Sequence, residues 1–219
     1  MKAIIIKILN KEPFKTISKT VDDLRVDSYL VGGYVRDLIL NKDQKKDIDI
    51  MVIGSAIELA KTLKKNLKGS KKIQFYKNFG TAMLEWQDFV IEIITARKES
   101  YNYDSRKPNV KIGTLKDDQN RRDFTINSLA IGISKKNFGE LIDPFNGIND
   151  LKNKIIRTPL NPDKTYSDDP LRMFRAIRFS SQLNFDIESK SFESIKKNIN
   201  RVKIVSKERI VGELNKIIL

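Results

Sequence analysis

The chain has 219 residues and a formal net charge of +14, and it contains neither cysteine nor histidine. These two absences exclude disulfide scaffolds, cysteine nucleophiles, Cys/His zinc sites and Ser-His-Asp triads. A hydrophobic content of 40% is enough for a packed core. The length fits one large domain or two small ones.

The basic charge indicates a polyanionic partner such as RNA, DNA or anionic lipid. A chain this rich in Lys, Asn and Ile also reaches such a charge through AT-rich coding alone, without any role in binding. The longest N-terminal apolar stretch, residues 3–9, is interrupted by Lys7 and is too short to cross a bilayer. We therefore expect a cytoplasmic protein.

Hydrophobic periodicity predicts an α+β front part and an all-helical back part. In the front part, helices are predicted at residues 13–24, 35–40 and 55–67, strands at 29–31, 47–53, 72–76, 81–86 and 89–95, and turns at 78–80 and 87–88. Residues 97–120 are polar and are predicted to form a loop. In the back part, helices are predicted at residues 171–183, 189–198 and 207–219. We place the domain boundary between residues 143 and 144.

Asp47 and Asp49 form the sharpest pair of candidate site residues. On a strand, residues i and i+2 share a face, so the two carboxylates lie side by side and repel each other. A Mg²⁺ ion relieves that repulsion, and it prefers carboxylate oxygens as ligands. The alternative is an exposed strand face that carries two acids. Glu92 is a further candidate metal ligand, because it is a lone charge in an apolar strand; the alternative is an edge strand with Glu92 facing solvent.

Gly32 and Gly33 link a predicted strand to a predicted helix, and Arg36 follows within the first helical turn. Two glycines let the backbone approach a phosphate closely, and Arg36 adds a fork of donors. The pattern is neither a Walker P-loop nor Gly-x-Gly-x-x-Gly. A plain turn remains the alternative, but an Asp-x-Asp strand follows about a dozen residues later.

Two later segments concentrate arginine and acidic residues. Residues 121–127, with the sequence RRDFTIN, bring together two guanidiniums, a carboxylate and an amide, which suit a triphosphate and ribose hydroxyls; a surface ion pair at a helix start is the alternative. In residues 168–179, with the sequence DDPLRMFRAIRF, Asp169 and Arg172 lie three apart on a helix and could pair with a base edge. Asp169 alone would also serve as an N-cap. Arg175 and Arg178 continue the row, and Leu171, Phe174 and Ile177 are expected to pack inward.

Five motifs occur in one order: GGYVRD at residues 32–37, DID at 47–49, RRDFTIN at 121–127, DPF at 143–145 and DDPLRMFRAIRF at 168–179. The set resembles the class II CCA-adding tRNA nucleotidyltransferases and their poly(A) polymerase relatives, from about residue 27 to the end. The resemblance implies a nucleotidyltransferase palm, a mixed sheet with flanking helices, followed by a helical neck. It also implies untemplated transfer of nucleotides from CTP and ATP to a tRNA that lacks its 3′ CCA, by Mg²⁺-dependent, two-metal phosphoryl transfer.

The resemblance assigns roles residue by residue. It assigns Mg²⁺ to Asp47 and Asp49, and the triphosphate to Gly32, Gly33 and Arg36. It assigns ribose and phosphate to Arg121, Arg122, Asp123 and Asn127, base reading to Asp169 and Arg172, and phosphate support to Arg175 and Arg178. Residues 206–214, with Glu208, Arg209 and Glu213, resemble the last family motif, which buttresses the base-reading helix. Residues 97–111 correspond to a region associated with switching from C to A.

The chain departs from the family in two respects. Asp168 stands where the family usually has Glu before the base-reading Asp. Family members also continue into body and tail domains that grip tRNA, so we expect a second copy or a partner chain to supply this grip, helped by basic residues at 196, 197, 201, 203 and 207. Within the class, a poly(A) polymerase and a CC-only or A-only enzyme remain alternatives. A non-catalytic basic RNA-binding module is the alternative from another class.

Overall fold

The computed structural model describes residues 1–42, 46–76, 80–102 and 105–218, and the chain divides into two compact units. The first unit comprises Met1–Arg97, Ile112–Leu115 and Leu129–Pro144. The second comprises Lys98–Lys111, Lys116–Ser128 and Phe145–Leu219. The domain boundary after residue 143 stays a prediction.

The first unit is built from helices on a single seven-stranded sheet. Its helices are α1 (Lys2–Leu9), α2 (Phe14–Asp23), α3 (Gly33–Ile39) and α4 (Ala56–Asn66). Its strands are β1 (Asp27–Val31), β2 (Asp47–Ile53), β3 (Ser70–Tyr76), β4 (Thr81–Trp86), β5 (Phe89–Thr95), β8 (Ala130–Gly132) and β9 (Leu141–Ile142). The strand order is β3-β4-β5-β2-β1-β8-β9, in which β2 and β5 run parallel and the other pairs run antiparallel. The predicted mixed sheet with flanking helices is confirmed.

Alternation of apolar and polar residues over the first half of β2 decides which of its side chains enter the core. Ile48, Ile50 and Val52 are fully buried, while Asp47 is exposed and Asp49 is half-buried on the other face. Helix α4 packs on β4 and β5, and the Ser55 hydroxyl caps α4 by accepting from the Glu58 N–H group at 3.2 Å. Both the predicted strand and the predicted helix are confirmed.

The second unit is mainly helical. It contains α6 (Gly147–Asn153), α7 (Pro162–Asp168), α8 (Leu171–Leu183), α9 (Ser189–Asn198) and α10 (Lys207–Ile218), with 3-10 turns at Thr125–Asn127 and Ile199–Ile204. Two short strands, β10 (Ile155–Ile156) and β11 (Asp186–Ile187), pair in parallel within it, so the back part is not wholly helical. Among the described residues, no helix combines the length and the apolar character needed to cross a bilayer.

Residues 97–120 correct a prediction, because the expected loop contains regular structure. Strands β6 (Arg97–Asn102) and β7 (Ser105–Ile112) form a two-stranded ribbon, and α5 (Leu115–Asn120) follows. The ribbon leaves Val110 and Ile112 exposed, so it needs no alternating apolar pattern. Helix α5 buries polar side chains, which hides it from a search for an apolar stripe. The predicted turn at residues 78–80 falls largely outside the described residues.

The inward face of α8 corrects a second prediction. Leu171 is buried as predicted, but Ile177 is 47% exposed and Phe174 is only half-buried, whereas Met173, Ala176 and Phe179 are buried. Arg172 is also buried on this helix, with a hydrogen-bond partner inside the second unit. Polar contacts therefore help to decide which face of α8 turns inward, and the apolar spacing alone gave the wrong stripe.

Candidate active site

The turn between β1 and α3 depends on Gly32. Its backbone dihedrals are φ 73° and ψ −141°, a region that essentially only glycine occupies. Gly33 begins α3, and a Cβ added there would lie 3.5 Å from Nη2 of Arg36, which is ordinary contact. Gly32 thus permits the backbone conformation of the turn. Gly33 leaves the space beside the Arg36 guanidinium free of a side chain.

We expect Gly32→Ala to lower the free energy of unfolding by about 1–3 kcal/mol, because the side chain strains a left-handed backbone position. Gly33→Ala is the matched control, since it adds the same methyl group at an unstrained helical position. Denaturant unfolding of both variants tests the difference. Equal destabilisation by the two substitutions would contradict this account of the turn.

Arg36 and Asp37 form a buried ion pair at the same turn. Arg36 Nε donates to Asp37 Oδ1 at 2.8 Å, and Arg36 Nη2 donates to Asp37 Oδ2 at 3.0 Å. Their side chains are each 5% exposed. A fork held by a carboxylate in this way is fixed in orientation. Asp37 therefore orients the guanidinium that the sequence assigned to the triphosphate.

The acidic candidates lie on neighbouring strands of the sheet. Asp49 on β2 is in direct register with Glu92 on β5, and Asp47 is in register with Val90. Registered residues of a parallel pair point to the same face, so the three acidic residues share one face. Further along that face, Met51 is fully buried in a cluster with Tyr29 and Val31, among others. Asp47 and Asp49, at the start of β2, therefore lie at the end of this face that is open to solvent.

The donor set at Asp47 and Asp49 fits a divalent cation of the Mg²⁺ type, because such ions take carboxylate oxygens and complete their shell with water or phosphate. Among the residues that the structure describes, no group of three or more acidic side chains is arranged so that it could hold a metal ion. The fit therefore rests on the Asp47 and Asp49 pair. Glu92 as a third ligand stays a prediction.

In the second unit, the arginines of residues 121–127 meet a carboxylate that the sequence analysis missed. Asp118 on α5 is fully buried, and it pairs with both Arg121 and Arg122. Burial alone would raise the pKa of Asp118, but the guanidiniums of Arg122 and Arg121 outweigh that effect and hold the pKa below its ordinary value. Arg121 also lies 3.4 Å from Glu99 on β6, the other partner that was missed. The sequence feature that could have predicted these ion pairs is the spacing of three and four residues between Asp118 and the two arginines.

Asp123 is a second buried carboxylate, and its acceptor sites are occupied within the unit. Its Oδ1 accepts from the Phe124 N–H group at 2.9 Å and from Asn127 Nδ2 at 3.0 Å. Its Oδ2 accepts from Arg175 Nε at 2.7 Å and lies 2.5 Å from Arg175 Nη2. These contacts use the acceptor capacity of a carboxylate, so a ribose hydroxyl would have to displace one of them.

The Asp123 contacts predict a pH dependence of stability. Burial opposes ionisation, but Arg175 and Asn127 outweigh it and lower the pKa of Asp123 to about 2. A carboxyl with a lowered pKa stabilises the fold above its unfolded pKa of about 3.9 and loses that effect as the pH falls toward the folded value. We expect the free energy of unfolding to fall by about 2 kcal/mol from this group between pH 5 and pH 2. Denaturant unfolding across this range should show a shallower fall for Asp123→Asn, and identical pH profiles would contradict the assignment.

The two residues assigned to base reading stand at the start of α8. Asp169 is half-buried, and its Oδ1 accepts from the Leu171 N–H group at 3.2 Å. The N-cap of α8 is Pro170, one residue later than the sequence predicted. Arg172 is 8% exposed, and its Nη2 donates to the carbonyl oxygen of Arg121 at 2.5 Å. Asp168, the departure from the family pattern, has a pKa raised chiefly by burial.

Arg175 and Arg178 also have partners in the unit. Arg175 binds Asp123, and Arg178 Nε lies 2.6 Å from Glu213 Oε2 on α10. Both guanidiniums lie over the ring of Phe179, at 5.2 Å and 4.2 Å from its centroid. The Glu213 contact matches the buttress that the resemblance implies, whereas Glu208 and Arg209 are exposed on α10.

The predicted residues thus assemble within each unit. The first unit carries the glycine turn with Arg36 and the acidic pair of β2. In the second unit, hydrogen bonds and ion pairs join residues 121–127 to α8 through Asp123 and Arg172. Contact of Arg175 and Arg178 with phosphate stays a prediction.

Comparison with known proteins places this geometry in a family. The poly A polymerase head domain matches residues 28–157, more than half of the chain. A second domain, described as a probable RNA and SrmB-binding site of polymerase A, matches residues 184–219.

Individual relatives and a solved structure support the same family assignment. An A-adding tRNA nucleotidyltransferase of Aquifex aeolicus is 40% identical over 190 residues, which are 85% of this chain and 22% of that protein. A CCA-adding enzyme of Lactobacillus helveticus is 38% identical over 202 residues, which are 91% of this chain and 48% of that protein. A crystal structure of a tRNA nucleotidyltransferase with a primer tRNA and an incoming ATP analog superposes with a TM-score of 0.78 at 34% identity, covering 91% of this chain and 55% of that one. The chain therefore spans about half, or less, of the length of these relatives. On the match of the head domain to more than half of its residues, the chain belongs to the poly A polymerase head domain family.

Proposed function

We propose that this chain carries the catalytic part of a tRNA nucleotidyltransferase, which adds C and A from CTP and ATP to the 3′ end of tRNA. The observation that carries the proposal is the pair Asp47 and Asp49, on the open end of a buried strand in a chain that belongs to this family. Support comes from relatives named for A addition and CCA addition. Since the substrates are tRNA and free nucleotides, we propose the cytoplasm as the compartment.

In this proposal the first unit handles metal and triphosphate. Asp47 and Asp49 hold Mg²⁺, with Glu92 beside Asp49 as a candidate third ligand. A metal held there would neutralise triphosphate charge while the tRNA 3′-hydroxyl attacks the α-phosphorus and pyrophosphate leaves. The backbone at Gly32 and Gly33 approaches the triphosphate, and Asp37 aims the Arg36 guanidinium at it. Catalysis then rests on positioning and charge stabilisation, which suits a chain without histidine.

The second unit, in this proposal, selects the base. Asp169 offers carboxylate acceptors and Arg172 offers guanidinium donors, so together they match the hydrogen-bonding edge of cytosine or adenine. An incorrect base leaves buried polar groups unpaired, which is the physical basis of rejection. Arg121 and Arg122 contact phosphate through the parts of their side chains that remain exposed, 16% and 14%. Contact of Asp123 and Asn127 with the ribose stays a prediction. It requires a ribose hydroxyl to displace one of the present hydrogen-bond donors to the Asp123 carboxylate.

The proposed tRNA contact uses the basic C-terminal part of the chain. Residues 184–219 match a domain described as a probable RNA-binding site. Lys203 and Lys207 are exposed there, while Lys196 and Lys197 make exposed ion pairs with Glu193 and Asp163. Phosphate contacts of this kind make affinity fall as salt rises. A second copy of the chain or a partner chain would add to this grip.

The product formed on tRNA that lacks its CCA end tests the proposal. CTP and ATP are supplied alone and together with Mg²⁺, and products are resolved at single-nucleotide length. We expect ordered addition of C, C and A. The Aquifex aeolicus relative makes A-only addition the second candidate, which would appear as extension only of a tRNA that already ends in CC. A long A tract would identify a poly(A) polymerase, and tRNA binding without any extension would favour an RNA-binding module.

A further inference from the structure

Asp118 is a buried charge that the proposed roles leave unexplained. It lies on α5, outside every motif singled out in the sequence, and its side chain is fully inaccessible. A buried carboxylate is costly unless it is paired and hydrogen-bonded. What it binds therefore indicates why it is there.

The partners of Asp118 are the two arginines of residues 121–127. Oδ1 pairs with Arg121 Nη2. Oδ2 accepts from Arg122 Nε at 2.9 Å and lies 2.8 Å from Arg122 Nη2, a two-pronged arrangement that fixes the plane of that guanidinium. One carboxylate thus anchors both side chains.

The anchored segment in turn holds Arg172. The carbonyl oxygen of Arg121 accepts from Arg172 Nη2 at 2.5 Å, and the carbonyl oxygen of Asn127 accepts from Arg122 Nη1 at 3.2 Å. Asp118 is therefore tied to both ends of residues 121–127. One of those ends is the carbonyl group that sets the direction of the Arg172 guanidinium.

We propose that Asp118 is a positioning residue for base selection, acting on Arg172 through Arg121 and Arg122, which together hold residues 121–127 in place. The inference rests on the proposed function, because it takes Arg172 as a base-reading group. Loss of the Asp118 charge frees Arg121 and Arg122, the Arg121 carbonyl shifts, and Arg172 no longer presents its donors in one fixed direction. Discrimination between bases should then suffer more than affinity for the triphosphate, which all nucleotides share.

The test compares Asp118→Asn with Asp88→Asn, a control that makes the same change at a side chain that is 72% exposed in a turn of the first unit. Binding of CTP, ATP, UTP and GTP to the full chain with Mg²⁺ is measured by calorimetry, after thermal melting has shown which variants are folded. We expect Asp118→Asn to reduce the preference for CTP over UTP by about tenfold. We expect Asp88→Asn to leave that preference within about twofold of the original protein.

Arg122→Lys keeps the test decisive if Asp118→Asn is unfolded at the assay temperature. Lysine retains the charge but cannot bridge Asp118 and the Asn127 carbonyl as the guanidinium fork does. We expect it to reduce the CTP preference by about threefold or more.

Each outcome either supports or overturns the positioning role of Asp118. A folded Asp118→Asn that keeps the CTP preference, or that weakens all four nucleotides equally, overturns the inference and leaves the proposed function standing. If Asp118→Asn does not fold, an unchanged preference in Arg122→Lys overturns it in the same way. If the original chain binds neither CTP nor ATP, the proposed function fails and the inference with it.

Discussion

Replacing Asp47 or Asp49 with asparagine is expected to reduce nucleotide incorporation by about a thousandfold or more, because an amide oxygen cannot supply the charge that a divalent cation requires. Asn has nearly the same shape as Asp, and Asp47 and Asp49 lie at the open end of β2, whose buried residues Ile48 and Ile50 are untouched. The fold should therefore survive. The measurement is the initial rate of labelled CMP incorporation into tRNA that lacks its CCA end.

Asp88→Asn is the matched control for these variants. Asp88 lies in the turn between β4 and β5, and its side chain is 72% exposed in a surface pair with Lys46. A surface pair of this kind adds little to stability. The control should retain full activity, and the melting temperatures of all three variants should stay close to that of the original protein. Turnover at the original rate in either Asp47→Asn or Asp49→Asn would contradict the metal assignment.

Replacing Arg172 with alanine is expected to relax base choice. The guanidinium is buried and held by the Arg121 carbonyl, so its removal leaves no fixed donor for the base edge. We expect the ratio of kcat/KM for CTP to that for UTP to fall by about 10- to 100-fold. Affinity for the triphosphate should change by only about threefold, since other residues are proposed to bind it.

Measurement of kcat/KM for each of the four nucleotides checks this prediction. Arg25→Ala is a suitable control, because it removes an exposed arginine from the first unit and leaves the net charge the same as in Arg172→Ala. Unchanged discrimination among the four nucleotides in a folded Arg172→Ala protein would refute the base-reading role. A uniform loss for all four would instead indicate a role in binding the triphosphate.

Sequence periodicity predicted those elements whose burial is apolar. The strand at residues 47–53 has the predicted bounds, and the helix predicted at residues 55–67 spans Ala56–Asn66, because apolar residues recur along both at the required spacing. The ribbon of β6 and β7 lacks such a pattern, and its exposed Val110 and Ile112 follow from that. Where a strand exposes its apolar residues, as β7 does at Val110 and Ile112, the sequence carries no apolar pattern that predicts it.

The candidate residues were predictable as a set, but their partners were not. Asp123 and Arg175 are 52 residues apart, so no local sequence spacing predicts their ion pair. Asp118 was missed because its burial depends on the arginines that surround it, and a polar helix carries no apolar stripe. The error at Ile177 has the same origin, since the buried Arg172 takes part of the inward face of α8.

Pyrophosphate release during extension of tRNA tests the central claim most directly. The full chain is incubated with Mg²⁺, CTP, ATP and tRNA that lacks its CCA end, and both pyrophosphate and incorporated nucleotide are counted. The proposed function predicts one pyrophosphate for every nucleotide added, and no release in the absence of tRNA. A folded chain that binds CTP but neither releases pyrophosphate nor extends the tRNA would contradict it.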